Sequence, residues 1–471
     1  FDIGAYEMDF SAMAAVNNSG IFRIGGAGNY FSAAAGLTFG AVEVIDIDLY
    51  VDGELHCTSL DISSPMSFCN FDTSGLVACT SLTITGASTN AYFYDDLTVT
   101  GTMTIDQGAT CFVECADFVV GTLSLPMSSS SLIEIYADTT TIAGSVSNVG
   151  GNIEFNHTSG GQLVTGAGLA ASFWGDLGNY NTFGNLIFEG PLTIQSGKVL
   201  DIDPTCVLEC RGDLTLTNAA LNNSGSIVIT TNVNSALYTG MNNMGNITNQ
   251  TGGLVNVQDH IWPSNNGTWH ADNSEWVFHA NADFQSAALT TAGTGGFVFA
   301  AAGGQSIAFP MATINNVTFD SSGGATVNSA ATFSGNFKIL NGTDAVFRQD
   351  LDMNAVTALP GNNGFIVMSP TSGSVTFTPP AGSPIIHGLT FDPAMGASIG
   401  TPSTPAIQVT TLEFQGAGTT QVSSEVIGIG GVECTTTGSA SIDRLTFNQS
   451  TTHGINGGSG ATALKILTTL K

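Results

Sequence analysis

Residues 97–105 read Leu-Thr-Val-Thr-Gly-Thr-Met-Thr-Ile, and this stretch shows the pattern that decides the fold. Apolar residues fall at odd positions and threonines at even ones, and such period-two alternation predicts a β-strand with one buried face. The same alternation occurs at Val44–Asp52, Asp213–Thr217 and Gly225–Thr230, between stretches rich in Gly, Asn, Asp and Ser. No amphipathic helix longer than about two turns is present. The sequence therefore predicts an all-β protein.

Short sequence signatures recur along the chain. One signature has Leu or Val, any residue, Phe and then Asp, Glu or Asn; it occurs at Leu186–Glu189, Val317–Asp320, Leu389–Asp392 and Leu445–Asn448. Repeated strand–turn units indicate that each unit completes its core by stacking on its neighbours. We therefore expect a right-handed β-solenoid, a rod similar to a parallel β-helix. Several β-sandwich domains in tandem are the alternative, because alternation alone does not separate the two architectures.

With these repeats, the chain resembles secreted β-solenoid proteins of bacterial cell surfaces, of the Gly/Asn/Thr-rich adhesin or surface-filament type. The best match lies in residues 295–340, which contain Gly-Gly-Phe-Val-Phe, Gly-Gly-Gln-Ser-Ile and Asn-Asn-Val-Thr-Phe-Asp in that order. The first seven residues, Phe-Asp-Ile-Gly-Ala-Tyr-Glu, look like the sequence that commonly closes a right-handed parallel β-helix domain. The resemblance implies this architecture and an extracellular setting, and it transfers no catalytic residue.

The same patterns divide the chain into three regions. Residues 1–10 form a strand-like N-terminal segment that resembles the end of a β-helix domain. Residues 11–90 form a cysteine-containing β region, for which alternation is the only guide. Residues 91–471 hold the solenoid repeats, with a Trp/His-rich insertion near 258–280.

The composition excludes several classes of protein. The 471 residues include 8 Lys and Arg against 37 Asp and Glu, a formal net charge of −29, and only 10% of residues are charged. A nucleic-acid-binding protein needs a basic surface, and these few basic residues are scattered. No run of about 20 apolar residues predicts a transmembrane segment. The chain begins at Phe1, which indicates a removed signal peptide or a fragment of a longer protein. We expect a secreted, extracellular or cell-surface location.

The eight cysteines favour disulfides in an exported protein, and buried free thiols are the alternative. Cysteines four apart on one strand are about 13 Å apart and cannot bond to each other, so each would meet a neighbour on an adjacent turn. The disulfide candidates are Cys57, Cys69, Cys79, Cys111, Cys115, Cys206 and Cys210. Cys434 has no nearby partner in the sequence and is a candidate for an intermolecular bond.

The clearest concentration of Trp and His lies between His260 and His279. Trp262, Trp269 and Trp276 could form a platform on which sugar rings stack, because aromatic side chains offer a large apolar face. The alternative is a longer loop that packs its aromatic side chains over the flank of the solenoid. The histidine spacing fits no metal-ligand motif.

We do not expect an enzyme, because no hydrolase or nucleotide-binding motif occurs and the basic residues that a polysaccharide lyase needs are dispersed. No cofactor is predicted. Calcium is the cation that the carboxylates of so acidic a chain would take up, and the sequence gives no ligand set for it.

The function expected from these features is structural. Apolar, strand-like termini would pair end to end between copies of the chain and build a surface filament, sheath or layer. The residues proposed for this pairing are Phe1, Ile3, Tyr6, Phe10, Leu464, Ile466 and Leu467. The alternative is an adhesin or glycan-binding surface module, and a polysaccharide lyase or hydrolase is a third. Partners would thus be copies of itself, cell-surface glycans or divalent cations.

Overall fold

The computed structural model describes residues 2–3, 7–16, 20–25, 29–66, 68–126, 130–157, 160–181, 185–217, 219–229, 235–238, 241–243, 246–249, 254–257, 267–271, 275–291, 293–382, 384–447, 455–457 and 465–470. The protein is a β-solenoid of about 18 turns with 61% strand, and its sheets are parallel. This confirms the predicted solenoid, and the tandem β-sandwich alternative is wrong, because sandwiches are antiparallel. Among the described residues, no helix is long and apolar enough to span a lipid bilayer.

The chain divides into two compact units, Phe1–Asn246 and Ile247–Lys471. Both boundaries proposed from the sequence, at residues 10 and 90, lie inside the first unit. The strands of the first unit, up to the one that includes its boundary, are β1 (Asp2–Ile3), β2 (Met8–Phe10), β3 (Ile21–Gly25), β4 (Asn29–Ala33), β5 (Thr38–Ile45), β6 (Asp48–Gly53), β7 (Leu55–Ser63), β8 (Cys69–Thr73), β9 (Val77–Thr85), β10 (Thr89–Phe93), β11 (Leu97–Asp106), β12 (Thr110–Val113), β13 (Asp117–Leu125), β14 (Leu132–Ile135), β15 (Thr139–Asn148), β16 (Asn152–Phe155), β17 (Gln162–Thr165), β18 (Asp176–Asn179), β19 (Asn185–Phe188), β20 (Leu192–Ile194), β21 (Val199–Ile202), β22 (Val207–Cys210), β23 (Leu214–Thr217), β24 (Ala220–Asn223), β25 (Ser226–Ile229), β26 (Ser235–Tyr238), β27 (Met241–Asn243) and β28 (Asn246–Asn249). A short 3₁₀ helix, Ala167–Ala171, follows β17.

The second unit continues with β29 (Leu254–Val257), β30 (Thr268–Ala271), β31 (Glu275–Phe278), β32 (Ala282–Asp283), β33 (Ala288–Thr291), β34 (Gly296–Phe299), β35 (Gln305–Ala308), β36 (Thr313–Phe319), β37 (Ala325–Val327), β38 (Ala331–Ile339), β39 (Asp344–Phe347), β40 (Leu351–Ala358), β41 (Phe365–Met368), β42 (Ser374–Thr378), β43 (Ile386–Phe391), β44 (Ser398–Thr401), β45 (Ile407–Phe414), β46 (Thr419–Cys434), β47 (Ser439–Phe447), β48 (Ile455–Gly457) and β49 (Lys465–Leu470).

Two parallel sheets form most turns of the first unit. Odd-numbered strands from β1 to β19 make one sheet, and even-numbered strands from β2 to β18 make the other. We call them the odd sheet and the even sheet. Each turn is joined to the next in register, as where Val77 pairs with Leu97 and Leu97 with Phe118. Residues 97–105 lie in β11, whose pairing shifts between Val99 and Met103.

Columns of apolar residues, each paired with the equivalent residue on the next turn, form the core of the first unit. Val44, Ile62, Ile84 and Ile105 succeed one another on adjacent turns and have no exposed surface. Because side chains alternate along a strand, every such inward column leaves outward columns on the other face of the sheet. The apolar alternation of the sequence thus fixes which residues reach solvent.

Phenylalanines form the corresponding column in the second unit. Phe278 pairs with Phe299 and Phe299 with Phe319, and their ring centroids are 5.4 and 5.7 Å apart. Phe319 belongs to one copy of the recurring signature. A second copy supplies Phe391, whose ring lies 5.7 Å from that of Phe414. The repeat predicted from the sequence therefore marks the stacked core of this unit.

Candidate functional site

The outward face of the even sheet carries tyrosines and carboxylates in register. Tyr30 pairs with Tyr50, and Tyr50 with Asp72. On each following turn the residue at this position pairs with the one on the turn before it. We call this the central column: Tyr30, Tyr50, Asp72, Tyr92, Phe112, Glu134, Glu154, Gly178 and Asp201.

A second outward column runs beside the first, two residues further along each turn. Its backbone N–H groups donate to carbonyls of the preceding turn, as from Tyr94 to Thr73 and from Tyr136 to Val113. The flanking column comprises Asp52, Ser74, Tyr94, Glu114, Tyr136, Asn156, Tyr180 and Asp203. The two columns together form what we call the tyrosine–carboxylate face. It holds six of the eight tyrosines of the chain.

The local sequence places these side chains outward because their neighbours are held in the core. Phe71 and Phe93 have no exposed surface, and they flank the outward residues Asp72 and Tyr92 in neighbouring strands of the even sheet. Strand alternation then directs the tyrosines and carboxylates to solvent. The face forms because inward and outward residues alternate within each strand and because outward residues pair with outward residues on the next turn.

The aromatic rings of the face lie flat against one another. Tyr92 stacks on Phe112 with centroids 4.6 Å apart and an interplanar angle of 1°, and Tyr92 and Tyr94 are stacked at 6.2 Å. Tyr30 and Tyr50 are stacked at 5.7 Å. Tyr94 remains 50% exposed, so its ring is open to solvent.

Tyrosine hydroxyls and carboxylates are joined by hydrogen bonds along the face. The Tyr136 hydroxyl donates to Glu134 Oε2 at 2.7 Å, and Asn156 Nδ2 donates to the same oxygen at 2.9 Å. The Tyr30 hydroxyl donates to Asp52 Oδ2 at 2.6 Å. Burial and the bond to Glu134 raise the pKa of Tyr136 to about 12. These bonds fix the orientation of the polar groups on the face.

A cleft interrupts the central column at Gly178. Glu154 pairs with Gly178 and Gly178 with Asp201, so the two carboxylates stand one turn to either side of a position without a side chain. The cleft measures about 310 Å³, and Tyr180 contributes to its wall. A Cβ added to Gly178 would lie 2.3 Å from Cε2 of Tyr180, so the ring covers this glycine.

Negative charge dominates the cleft. Burial raises the pKa of Glu154, and repulsion from Glu134 and Asp201 raises it further. Burial and repulsion from Asp203 likewise raise the pKa of Asp201. A third carboxylate, Asp176, lines the cleft, and its Oδ2 lies 3.1 Å from Lys198 Nζ.

A second hollow of about 340 Å³ lies on the same side of the unit. Tyr94, Glu114 and Tyr136 of the flanking column line it, together with Asp138 and His157. His157 Nε2 lies 2.9 Å from Asp138 Oδ1. The face therefore has two recesses beside its exposed rings.

The predicted tryptophan platform is wrong for the two tryptophans that the structure describes. Trp269 in β30 and Trp276 in β31 have no exposed surface, and their rings meet edge to face at 5.1 Å. They lie in regular strands and not in a loop on the flank, so neither can stack on a sugar. Trp262 lies outside the described residues.

All eight cysteines lie among the described residues and are free thiols, so the predicted disulfide framework of Cys57, Cys69, Cys79, Cys111, Cys115, Cys206 and Cys210 is not found. The register explains this for most of the set: Cys111 is placed between Ala91 and Ile133, neither of them a cysteine. Cys57 and Cys79 do pair on adjacent turns. Cys434 is only 2% exposed, so it cannot reach another molecule as an intermolecular thiol.

The terminal residues proposed for assembly are described in part. Ile3 lies in β1, Phe10 in β2, and Ile466 and Leu467 in β49. The ring of Phe10 packs against Phe22, Phe31 and Phe39 at the first turns of the solenoid. Phe1, Tyr6 and Leu464 lie outside the described residues.

Metal ligation receives no support from the described part of the chain, where no group of three His, Cys, Asp or Glu side chains is placed to hold an ion. Comparison with known proteins found no matching family model, no similar curated protein and no similar solved structure. The fold and the site together define a class: a parallel β-solenoid with an acidic, tyrosine-rich outer face.

Sequence reasoning missed this face. The sequence does contain one signal for it, the alternation of outward and core residues. Tyr92 and Tyr94, like Glu134 and Tyr136, are separated by one core residue. Alignment of these pairs into columns requires the register between turns, which the sequence alone did not give.

Proposed function

We propose that the protein is a non-enzymatic, extracellular surface protein of the adhesin type that binds glycans along the tyrosine–carboxylate face. The observation that carries this proposal is the concentration of six of the eight tyrosines on one outward face, in register with carboxylates. An extracellular location is supported by the resemblance to surface β-solenoids and by the scarcity of basic residues. The dispersed basic residues support a role in binding over lyase chemistry.

The chemistry of the face suits a carbohydrate chain. Flat aromatic rings cover the apolar faces of sugars, and carboxylates and phenol groups exchange hydrogen bonds with hydroxyls. Successive turns of a solenoid are about 4.8 Å apart, which is close to the advance of one sugar unit in an extended β-linked chain. A glycan aligned with the columns would thus meet a new aromatic or polar side chain at each unit.

A glycan array tests this function. We expect the wild-type chain to bind extended oligosaccharides and Tyr92→Ala/Tyr94→Ala to weaken binding about tenfold, which corresponds to about 1.4 kcal/mol. Phe173→Ala is the matched control, because Phe173 is a 56% exposed aromatic residue of the same unit that lies outside the face. Equal binding by the wild type and the double variant would refute the proposal.

A second candidate function is structural, by self-assembly through strand addition. β1 pairs with β3 and β2 with β4, and each stands first in its sheet, while β49 pairs with β47 and stands last in its sheet. Unpaired strand edges are templates for a strand from another copy. Negative-stain microscopy of the full chain and of a chain lacking residues 1–10 tests this: filaments should form only with the full chain. Unchanged polymers after the deletion would exclude end-to-end pairing through these residues.

A further inference from the structure

We propose that hydrogen peroxide converts Cys57 and Cys79 into a reversible disulfide, which ties together two successive turns of the first unit. The proposal does not depend on glycan binding. It concerns one pair among the eight cysteines, all of which are free thiols in the structure. Three observations carry it: the register of the two residues, the contact between their thiols and their slight exposure.

Register places the two cysteines side by side. Cys57 in β7 and Cys79 in β9 are direct partners on adjacent parallel strands of the odd sheet. Adjacent strands lie about 4.8 Å apart, and the Cα atoms of a disulfide lie about 4.4–6.8 Å apart. Both side chains are buried and lie on the same face of the sheet. A bond can therefore form between them without a change of strand register.

The other six cysteines have neighbours of a different kind. Strand pairing places Cys69 beside Thr89, Cys111 between Ala91 and Ile133, Cys210 between Phe188 and Ile229, and Cys434 between Phe414 and Gly457. Cys115 and Cys206 lie outside the strands. Among the strand pairings of the described residues, Cys57 and Cys79 are thus the one pair of cysteines in register.

The two thiols are already in contact. A hydrogen bond between them, together with burial, raises the pKa of the Cys57 thiol. On the turns before and after the pair, the column continues with apolar residues: Phe39 pairs with Cys57, and Val99 pairs with Cys79. Within this column, the only reactive neighbour of either sulfur is therefore the other sulfur.

Slight exposure admits a small oxidant to this pair. Cys57 and Cys79 are each 5% exposed, whereas Cys69 and Cys111 have no exposed surface. A molecule of the size of hydrogen peroxide can reach a sulfur through so small an opening, and a bulky disulfide reagent cannot. We therefore assign the reaction to peroxide and not to exchange with another disulfide.

The reaction balances with one molecule of hydrogen peroxide. One cysteine attacks a peroxide oxygen as the thiolate, the O–O bond breaks, and a sulfenic acid and one water form. The second sulfur then attacks the first, the S–O bond breaks, and the oxygen leaves as a second water. Two thiols are oxidised to one disulfide, and the peroxide is reduced to water. Because the thiolate is the nucleophile, the reaction should become faster as pH rises.

The bond closes a loop that contains all of β8. This strand, Cys69–Thr73, carries Asp72 of the central column. A disulfide stabilises a protein mainly by restricting its unfolded chain. Oxidation should therefore make the start of the tyrosine–carboxylate face harder to unfold.

Peroxide treatment of the full chain tests the proposal. Hydrogen peroxide is added to the reduced protein, and mass spectrometry of its proteolytic peptides, without reductant, maps the sulfur bonds. We expect one cross-linked peptide that joins Cys57 to Cys79 and disappears when a reductant is added. We also expect the unfolding temperature of the first unit to rise by about 5 °C on oxidation.

Two variants separate this pair from the other thiols. Cys79→Ala removes one partner and should abolish both the cross-linked peptide and the rise in unfolding temperature. Cys115→Ser is the matched control, because Cys115 is more exposed than either member of the pair and lies outside the strands. The control should keep the cross-link and the rise.

Several outcomes would overturn the proposal. They are a wild type that keeps both thiols under excess peroxide, one that forms sulfinic or sulfonic acid at Cys57 or Cys79 without a cross-link, and a cross-link from either residue to another cysteine. A cross-link that leaves the unfolding temperature unchanged would overturn the tie between turns. Because the bond is mapped in the wild type, the test does not require Cys79→Ala to fold.

Discussion

The two units share one architecture and an apolar core, and they differ in the aromatic residues that face outward. The first unit holds all eight tyrosines, and six of them face outward. The second unit holds no tyrosine and stacks its phenylalanines in the core, as in the column Phe278, Phe299 and Phe319. The first unit has 3 basic against 24 acidic residues, a formal net charge of −21, and the second has 5 against 13, a charge of −8.

In a solenoid, inward and outward columns of side chains are under different constraints. Inward columns must be apolar for each turn to stack on the next, so both units retain them. Outward columns carry no such constraint, and a change there leaves the register intact. Aromatic residues inside therefore contribute to stability, whereas aromatic residues outside form the surface that we propose binds a ligand. The predictions below test this separation.

The largest expected effect is in the core of the second unit. Phe319 is 1% exposed, and its ring lies within 6.3 Å of five other phenylalanine rings. Phe319→Ala should lower the free energy of unfolding by about 3–5 kcal/mol, because it removes buried apolar surface and leaves a cavity. Urea unfolding measures this loss. Phe319→Leu, which keeps most of the volume, should lose less than about 1.5 kcal/mol. Equal losses for both variants would contradict the packing argument.

A buried glutamine occurs at equivalent places in both units. Gln162 Nε2 donates to the carbonyls of Ile135 and Ala137 at 2.8 and 3.1 Å, and Gln305 Nε2 donates to those of Phe278 and Ala280 at 3.1 and 2.6 Å. The two differ at the other end of the amide. Gln305 Oε1 accepts a hydrogen bond from Ser321 at 2.6 Å, and Gln162 Oε1 has no partner among the described residues.

The second prediction follows from this difference. Gln305→Leu should cost about 2 kcal/mol and Gln162→Leu about 1 kcal/mol, because the first loses a fully bonded amide and the second also removes an unpartnered buried oxygen. Hydrogen exchange of the full chain gives the local free energy of each unit separately. A larger loss at Gln162 would contradict this account.

The sequence predicts which residues of a strand are buried, because apolar and polar residues alternate along it. Residues 97–105 form β11, and the recurring Phe of Val317–Asp320 lies in the core, because alternation between apolar and polar residues decides which side chains are buried. The local density of aromatic residues around Trp269 indicates either a surface platform or a loop packed on the flank. Its place between Thr268 and His270 follows the alternation of an inward strand residue, and the structure agrees with that alternation.

The sequence does not predict which residues pair on adjacent turns. Whether Cys57 faces Cys79, or Cys111 faces Ala91, depends on how many residues each turn contains, and this number varies. Paired residues on adjacent turns are 18 apart at Phe39 and Cys57 and 22 apart at Phe118 and Thr140. The tyrosine–carboxylate face depends on the same registers and was missed for the same reason.

The third prediction concerns an outward aromatic residue. Tyr92→Ala should lower the free energy of unfolding by only about 0.5–1.5 kcal/mol, because it removes a stacked pair on a partly exposed surface and opens no core cavity. Urea unfolding alongside Phe319→Ala makes the comparison direct. Tyr92→Phe keeps the stack and should leave stability unchanged. A loss at Tyr92 as large as that at Phe319 would show that the outer face is also structural.

The smallest expected effect concerns how stability depends on pH. Two carboxylates of the first unit, Glu154 and Glu54, should change this dependence in opposite directions. The folded-state pKa of Glu154 is raised above its ordinary value of 4.5 by burial and by repulsion from Glu134 and Asp201. The folded protein therefore binds this proton more readily than the unfolded chain does. The resulting stability is present below the unfolded pKa and is lost as pH rises through the folded pKa. Glu154→Gln should thus stabilise the protein at neutral pH, by less than about 1 kcal/mol for so exposed a group, and should have little effect below the unfolded pKa.

Glu54 is the matched control for Glu154, because its pKa is lowered by hydrogen bonds from His56 and from the backbone N–H of Gly36. The stability that Glu54 contributes is present above the unfolded pKa and is lost as pH falls through the folded pKa. Glu54→Gln should therefore destabilise the protein at neutral pH. Melting temperatures at neutral and acid pH measure both changes. If both variants changed the melting temperature in the same direction, repulsion between carboxylates on the outer face would not destabilise the folded protein. The electrostatic difference between the two carboxylates would then be wrong.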